Sequence, residues 1–457
     1  MMTRMENKQI KFHMITIENL VPEKHFLRKL SQVVDFSFIY EETKDYYCET
    51  NGRPSIDPVV LIKYLLIGFL YGIASERRIE QEIQVNMAYR WFLGLDLDER
   101  VPDHSTISQN RRRRFHGETL FRRLFERILE QCFEKGLVEG ALILTDSTHV
   151  KANASFKKNV QVMAERESTS YMERLDVYEA QERAQLETSG AIKPQRAKRT
   201  PKEKAKVRRT VSTTDPDAGM LNRLGKPEGM HYLSHQSVDD AHGIVVDVAV
   251  TLGNANDSEP YLERIEYMCN HLGLDIKKTG ADSAYGSSLI CRTLEDMGIE
   301  LYMPKATGGV NYKVAFTRKD FIYQQDNDCF ICPSGKKLTL RSLEREHYNI
   351  CRTYRADRKD CGACPKLGQC VSDSHRSRSL RVNIFEPAVK KLRERDGTPL
   401  HRHILMLRQI WCEGSFAAQK ARHNLRCLYR RGLEAAEEHC LLSAMALNLK
   451  RMVSCLG

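Results

Sequence analysis

Apolar residues recur with two different periods along the chain, and the change falls near Gly136. Between residues 20 and 135 the period is helical. Asp57-Pro58 is a strong helix start, with Asp as cap and Pro in the first turn. Val59, Ile62, Leu65, Leu66 and Phe69 follow at helical spacing, and Gly72 closes the helix. Ser75 caps the next one, which carries Ile79, Ile83 and Met87. After Pro102, the run Asp103-His104-Ser105 offers another cap, and the helix it opens ends in Arg111-Arg112-Arg113-Arg114. A further helix is predicted over Glu118 to Lys135, with Leu120, Phe121, Leu124, Phe125, Ile128 and Leu129 on its apolar side.

Beyond Gly136 the runs shorten. Leu142-Ile143-Leu144 reads as a buried strand leading to Asp146. Strand signals return at Tyr232 to Val238 and Ile244 to Leu252, joined by a turn at Asp240 to Gly243. A helix from Glu259 to Leu272, a short strand around Thr279, a helix through Leu294 and a strand from Glu300 to Met303 complete the order β, insertion, β, β, α, β, α, β. That order predicts an α/β fold with a mixed sheet flanked by helices. The insertion, 155–229, is polar and charge-dense, with a helix predicted over Tyr171 to Leu186. Lys193 to Arg209 holds nine Lys/Arg and one acid, Glu203, which reads as a flexible basic loop. Residues 306–400 form a second insertion, and 401–455 read as one or two helices rich in Arg and Leu.

A chain of 457 residues suits two to four domains, and 41% apolar with 29% charged residues excludes a disordered chain. Lys plus Arg number 71 against 60 acids, a net charge of +11, which favours an anionic partner. The most apolar stretch, Pro58 to Ile73, is short and contains Lys63, so a buried helix is expected and no membrane span. Residues 1–19 carry no apolar h-region, and the expected compartment is a reducing cytoplasm. Three basic groups stand out: Arg111 to Arg114, Lys193 to Arg209, and Arg422 to Arg431. Several short helices followed by an Arg-rich one suit a helix-turn-helix type of module, with Ser105 to Arg114 as candidate recognition helix.

Three acids are placed for phosphoryl transfer. Asp146 ends an apolar strand, Asp282 follows a short one, and Glu413 precedes Lys420 by seven residues on a predicted helix, so the two share a face. Asn424 falls near the same face, and Arg408 points elsewhere on a regular helix. Carboxylates from separate elements suit Mg²⁺ or Mn²⁺, and two such ions about 3.5–4 Å apart activate an attacking oxygen and stabilise a leaving one. Asp239-Asp240 is a competing acid pair at another strand end, and spacing alone does not eliminate it.

At these residues the chain resembles bacterial insertion-sequence transposases of the DDE type. The amino-terminal segments Gly52-Arg-Pro-Ser-Ile-Asp-Pro, Ser75-Glu-Arg-Arg, Tyr89-Arg-Trp-Phe-Leu-Gly and Pro102-Asp-His-Ser-Thr carry part of the likeness. Asp146-Ser-Thr-His-Val-Lys-Ala, His231-Tyr-Leu-Ser-His, Gly280-Ala-Asp-Ser-Ala-Tyr-Gly, and the run from Arg408 through Glu413 and Lys420 to Arg422-His-Asn-Leu-Arg426 carry the rest. The resemblance implies an RNase H-like catalytic core in two parts, 136–305 (with insertion 155–229) and 401–457. It also implies a helical DNA-binding domain at 1–135 and a Cys-rich lobe at 306–400. Asp146, Asp282 and Glu413 would be the catalytic ligands of two Mg²⁺ or Mn²⁺ ions. Arg408, Lys420, Arg422 and Arg111, Arg112, Arg113 and Arg114 would contact DNA. The implied activity is cleavage at the terminal inverted repeats and strand transfer into target DNA by a homo-oligomer on paired ends. Many relatives carry a Tyr before the Arg, where this chain has Leu405 three residues before Arg408. A catalytically silent DNA-binding derivative and a metal-dependent nuclease are the competing readings.

Six of the fourteen Cys fall between Cys329 and Cys370. Cys329-x2-Cys332, Cys351 and Cys361-x2-Cys364-x5-Cys370 suggest a structural Zn²⁺ site. Cys332, Cys361, Cys364 and Cys370 are the preferred set, Cys329 a close competitor, and an iron–sulfur cluster the other metal reading.

Overall fold

The structure is a computed structural model that describes residues 14–48, 55–115, 119–165, 169–194, 206–222, 225, 228–305, 315–346, 348–371 and 376–457. Eight helices come first: α1 (Ile17–Leu20), α2 (Phe26–Val33), α3 (Phe38–Thr43), α4 (Pro58–Leu70), α5 (Glu76–Val85), α6 (Met87–Leu93), α7 (His104–Arg113) and α8 (Thr119–Glu134). The caps predicted at Asp57, Ser75 and Asp103 form, but Met87 opens α6, which Asn86 caps, rather than extending the Ser75-capped α5. Asp57 Oδ1 accepts the Val59 N–H at 2.7 Å, with Pro58 in the first turn. Asp103 Oδ1 accepts the Ser105 N–H at 2.7 Å.

The central sheet is built on β1 (Leu142–Lys151). Three further strands precede its partner: β2 (Asn159–Glu165), β3 (Lys206–Ser212) and β4 (Gly219–Leu221). β5 (Gly229–Asp239) pairs antiparallel with β1, and β6 (Val245–Leu252) pairs antiparallel with β5. Before the next helix of the core, the first insertion contributes α9 (Ser170–Thr188), which carries the predicted helix. After α10 (Tyr261–Asn270), β7 (Lys278–Gly280) lies parallel to β1. After α11 (Ser288–Asp296), β8 (Glu300–Tyr302) lies parallel to β7. The order across the sheet is therefore β6-β5-β1-β7-β8, with β4 also on the outer edge of β5. Three antiparallel strands followed by two parallel ones, with helices between them, is the RNase H-like topology.

Both insertions are more ordered than their composition suggests. β2 and β3 pair antiparallel from Asn159↔Ser212 to Glu165↔Lys206. The flexible-loop reading of Lys193 to Arg209 is thus corrected at its end: 206–209 are strand, because Val160 and Val162 face a matching extended run, while 195–205 lie outside the described residues. The second insertion forms a five-stranded sheet from β9 (Ile322–Gln324), β10 (Cys329–Ile331), β11 (Lys337–Glu346), β12 (Asn349–Ala356) and β13 (Ser379–Asn383). Short helices α12 (Arg358–Gly362) and α13 (Leu367–Cys370) lie between its last two strands. The insertions meet where Arg352 Nε donates to Glu182 Oε1 at 2.6 Å and Arg345 pairs with Asp176.

The chain then continues through α14 (Glu386–Glu394), α15 (Pro399–Arg408), a π-helical turn at Gln409–Glu413, α16 (Gly414–Arg422) and α17 (Leu433–Leu456). α17 is buried on nearly every side and packs between α2, α4 and α8 on one side and β6 on the other. Its Asn448 is buried against the sheet, where its amide accepts from Val245 N and donates to Val245 O, both at 2.8 Å. No described helix is long and apolar enough to cross a membrane.

Candidate active site

Two acids are placed by the sheet itself. β1 and β7 are parallel, with Leu144 opposite Gly280. Asp146 and Asp282 each lie two residues beyond that pair, so they leave adjacent strands at the same level and on the same face. Asp146 Oδ1 accepts the Ser147 N–H at 2.8 Å. Asp282 Oδ1 accepts the Ser283 N–H at 2.7 Å and caps a short 3₁₀ turn. Gly280 also lets α15 lie close on the sheet, since a Cβ there would sit 2.8 Å from an Ile404 side-chain carbon.

The third acid arrives on the π turn. In a regular helix Arg408 and Glu413, five apart, face different ways; the π turn bonds i to i+5 and brings them into line. Arg408 Nη1 donates to Asp146 Oδ2 at 2.7 Å, and its Nη2 to Glu413 Oε1 at 3.2 Å. The expectation that Arg408 lies off the Glu413 face is therefore overturned. So is the placement of Asn424 on that face. α16 ends at Arg422, Asn424 has φ +60°, and its amide donates to the carbonyls of Gly68 (3.0 Å) and Ile73 (3.3 Å) at the end of α4. Lys420 does reach the sheet, its Nζ donating to Thr148 Oγ1 at 2.6 Å.

The acids act on one another electrically. Burial raises the Asp146 pKa, the Arg408 charge opposes that, and the Asp282 and Glu413 charges raise it further. This concentration of negative charge from hard oxygen donors fits a divalent cation. The three side chains are gathered, not clustered: among the described residues, the one set of three metal-binding groups with ligand atoms all within 4.8 Å is Glu80, Asp103 and His104. That trio is accounted for as a joint between α5 and α7, since Glu80 Oε2 meets both the backbone N–H (3.0 Å) and Nδ1 (2.7 Å) of His104.

Sequence reasoning missed the residues that hold the site. Gln236, opposite Asp146 on β5, exchanges two amide hydrogen bonds with Gln419 of α16, at 3.0 and 2.7 Å. The buried Tyr285 stands behind the acids, its pKa driven well up by burial and by the Asp146 and Asp257 charges. Tyr285 lies in the Gly280-to-Gly286 motif, but no local pattern marks its ring as buried. The competing pair resolves as structural at Asp239, which is fully buried and accepts the Gly140 N–H at 2.8 Å and the Ala241 N–H at 3.0 Å.

Two buried histidines tie the end of α16 to its surroundings. His423 Nδ1–H donates to Phe69 O at 2.8 Å and His439 Nε2–H donates to Asn424 O at 2.8 Å. Burial pushes both pKa values down to about 4, against the pull of those hydrogen bonds. Because the folded values lie below the ordinary value of about 6.5, the unfolded chain takes up protons first as pH falls. The stability they support is whole above about pH 6.5 and is lost progressively toward pH 4. The thermal midpoint of His439→Gln should therefore fall less steeply than wild type between those pH values; parallel curves would refute the assignment.

The basic groups divide. Arg111 is buried and paired with Glu76 and Glu438, so it is not available to DNA, contrary to its place in the predicted Arg run. Arg114 is half-buried over the Tyr47 ring, 4.3 Å from its centroid. Arg112, Arg113 and Arg422 are exposed.

Two family models match parts of the chain. A transposase domain (DUF772) matches residues 15–113, and a transposase DDE domain matches residues 331–453, a span that includes Glu413. No curated protein matches the chain. A solved structure of a piggyBac transposase synaptic complex with hairpin DNA is similar over 94% of this chain and 75% of that chain, at 8% identity and a TM-score of 0.37. The core and the matched domains define a DNA-cleaving and strand-transferring enzyme with DNA as its partner. With these transposase and transposase DDE domains, the chain is a DDE transposase that acts in DNA transposition.

Proposed function

We propose that Asp146, Asp282 and Glu413 hold two divalent ions, Mg²⁺ or Mn²⁺, at which this transposase cuts the ends of its element and joins them to target DNA. The observation that carries the assignment is the single guanidinium of Arg408 bridging Asp146 and Glu413, beside an Asp282 set level with Asp146 by the β1–β7 register. Bound ions would supply Lewis-acid activation of the attacking oxygen and stabilisation of the leaving one. The protein's part is placement. Two acids stand on a rigid sheet, and the third is fixed by the Gln236–Gln419 amide pair and the histidine anchors. Arg408 and Lys420 are positioned to meet phosphate oxygens, with Arg422 exposed beyond them.

The helical part, 1–135, is assigned to recognition of the terminal inverted repeats, with Arg112 and Arg113 binding its phosphates. Action on paired ends calls for at least a dimer. Incubation of purified protein with a labelled element-end duplex and Mg²⁺ should give nicked and strand-transferred products. Cleavage without joining would favour a nuclease, and binding without cleavage a silent derivative. Arg112→Ala/Arg113→Ala should lower the slope of log affinity against log salt by about 0.9 for each phosphate that is no longer neutralised. An unchanged slope would move end recognition elsewhere.

A further inference from the structure

We propose that Cys332, Cys361, Cys364 and Cys370 form a structural tetrathiolate zinc site, which fastens the turn between β10 and β11 to helices α12 and α13. The four thiols come from three separate segments and line one small cavity of about 30 Å³, with Phe316, Leu338 and Val371 around them. Tetrahedral zinc takes four Cys, and the CxxC spacing at Cys361 and Cys364 is one it commonly uses.

Each half of the site is already shaped for ligation. Cys332-Pro-Ser-Gly-Lys336 is a tight turn in which Gly335 N donates to Cys332 O at 2.8 Å and the Lys336 N–H points at Cys332 Sγ at 3.4 Å. Gly335 sits at φ +75°, a conformation that favours glycine. Opposite, Cys364 N donates to Cys361 O at 3.1 Å, which folds the second pair back on itself. Ser334 Oγ lies 3.4 Å from Cys364 Sγ and already links the two halves. Four thiolates around Zn²⁺ leave a net double negative charge. Lys336, Lys366 and Arg378 line the same cavity with one acid, Asp360, so the lining carries compensating charge.

Cys329 and Cys351 are excluded on geometry. Both are buried in strands away from the cavity, and the Cys329 thiol instead faces Gln324 Oε1 at 3.7 Å. None of the fourteen cysteines forms a disulfide. No three of the four sulfurs lie within 4.8 Å of one another, so ion binding would draw the two halves together and be coupled to ordering of the lobe. The lobe lies between Asp282 and the helices that carry Arg408 and Glu413. Asn383 of β13 holds it to the core by donating to Ser288 Oγ of α11 at 2.9 Å.

Elemental analysis of the full-length protein, purified without chelator, should find about one zinc per chain. A mercurial that blocks thiols should release it. Cys361→Ser/Cys364→Ser should lose that zinc, whereas Cys329→Ser/Cys351→Ser should keep it. Cobalt added to stripped wild-type protein should give the visible d–d and thiolate charge-transfer bands of a tetrahedral tetrathiolate, a readout that survives if a variant fails to fold. Folded protein with neither zinc nor cobalt bands, iron in place of zinc, or equal zinc loss from the Cys329/Cys351 variant would overturn the assignment.

Discussion

Asp146→Asn should slow cleavage of a labelled element-end duplex in Mg²⁺ by at least about 10³-fold, while end binding and thermal stability stay at or above wild type. The rate loss is the scale expected when several kcal/mol of charge stabilisation is removed from the transition state. The stability result follows from the sign of the pKa shift. Burial raises the Asp146 pKa in the folded protein, so its ionised form is less favourable there than in the unfolded chain. That cost is present at neutral pH and is relieved only as pH falls through the raised folded value. Asparagine keeps the shape and an acceptor for the Ser147 N–H but carries no charge, so it removes the cost. The repulsion from Asp282 and Glu413 goes with it, while Arg408 keeps Glu413 as a partner. A residue needed only for folding would show the reverse: lower stability with activity falling in proportion. Wild-type cleavage rates in this variant would remove Asp146 from the catalytic set.

The sheet was largely legible because its signals are local. Leu142-Ile143-Leu144 before an acid, and the β-branched run from Ile244 to Leu252 after a short turn, mark strands whatever lies around them. The β1–β7 register was not legible, since nothing within a three-residue strand names the partner of Leu144. Arg408 was misplaced for a related reason. A helical-phase argument assumes 3.6 residues per turn, and the π turn at Gln409–Glu413 breaks that assumption where it matters. Asn424 failed the same way, because the helix stops two residues before it. In the second insertion the cysteines drew attention from a plain signal: Leu338, Leu340 and Leu343 are buried among exposed or half-buried neighbours along β11. The β2–β3 pair was hidden because its charge density reads as loop, although its alternating valines were there to be counted.

The run Arg111 to Arg114 is the case where a sequence pattern pointed to one role and the fold imposes another, and it yields the second large effect. Arg111→Met should cost about 3–5 kcal/mol of stability, the scale for removing one partner of a buried ion pair. Arg111 Nε donates to Glu438 Oε1 at 2.8 Å, and its Nη1 and Nη2 pair with Glu76 and Glu438. The Glu76 and Arg111 side chains stand at the meeting of α5 and α7, and Glu438 belongs to α17. Removal of the guanidinium leaves Glu76 uncompensated and Glu438 dependent on Arg430 alone. The partners lie 35 and 327 residues away in sequence, which is why a local reading took Arg111 for a surface charge. A double variant, Arg111→Met/Glu438→Met, should recover much of the loss, because two apolar side chains of similar reach replace a pair whose desolvation offsets its attraction. At a temperature where every variant is folded, Arg111→Met should keep the wild-type salt slope for DNA, in contrast to Arg112→Ala/Arg113→Ala. A shallower slope at unchanged stability would instead make Arg111 a phosphate ligand and would require the joint between α7 and α17 to open when DNA binds.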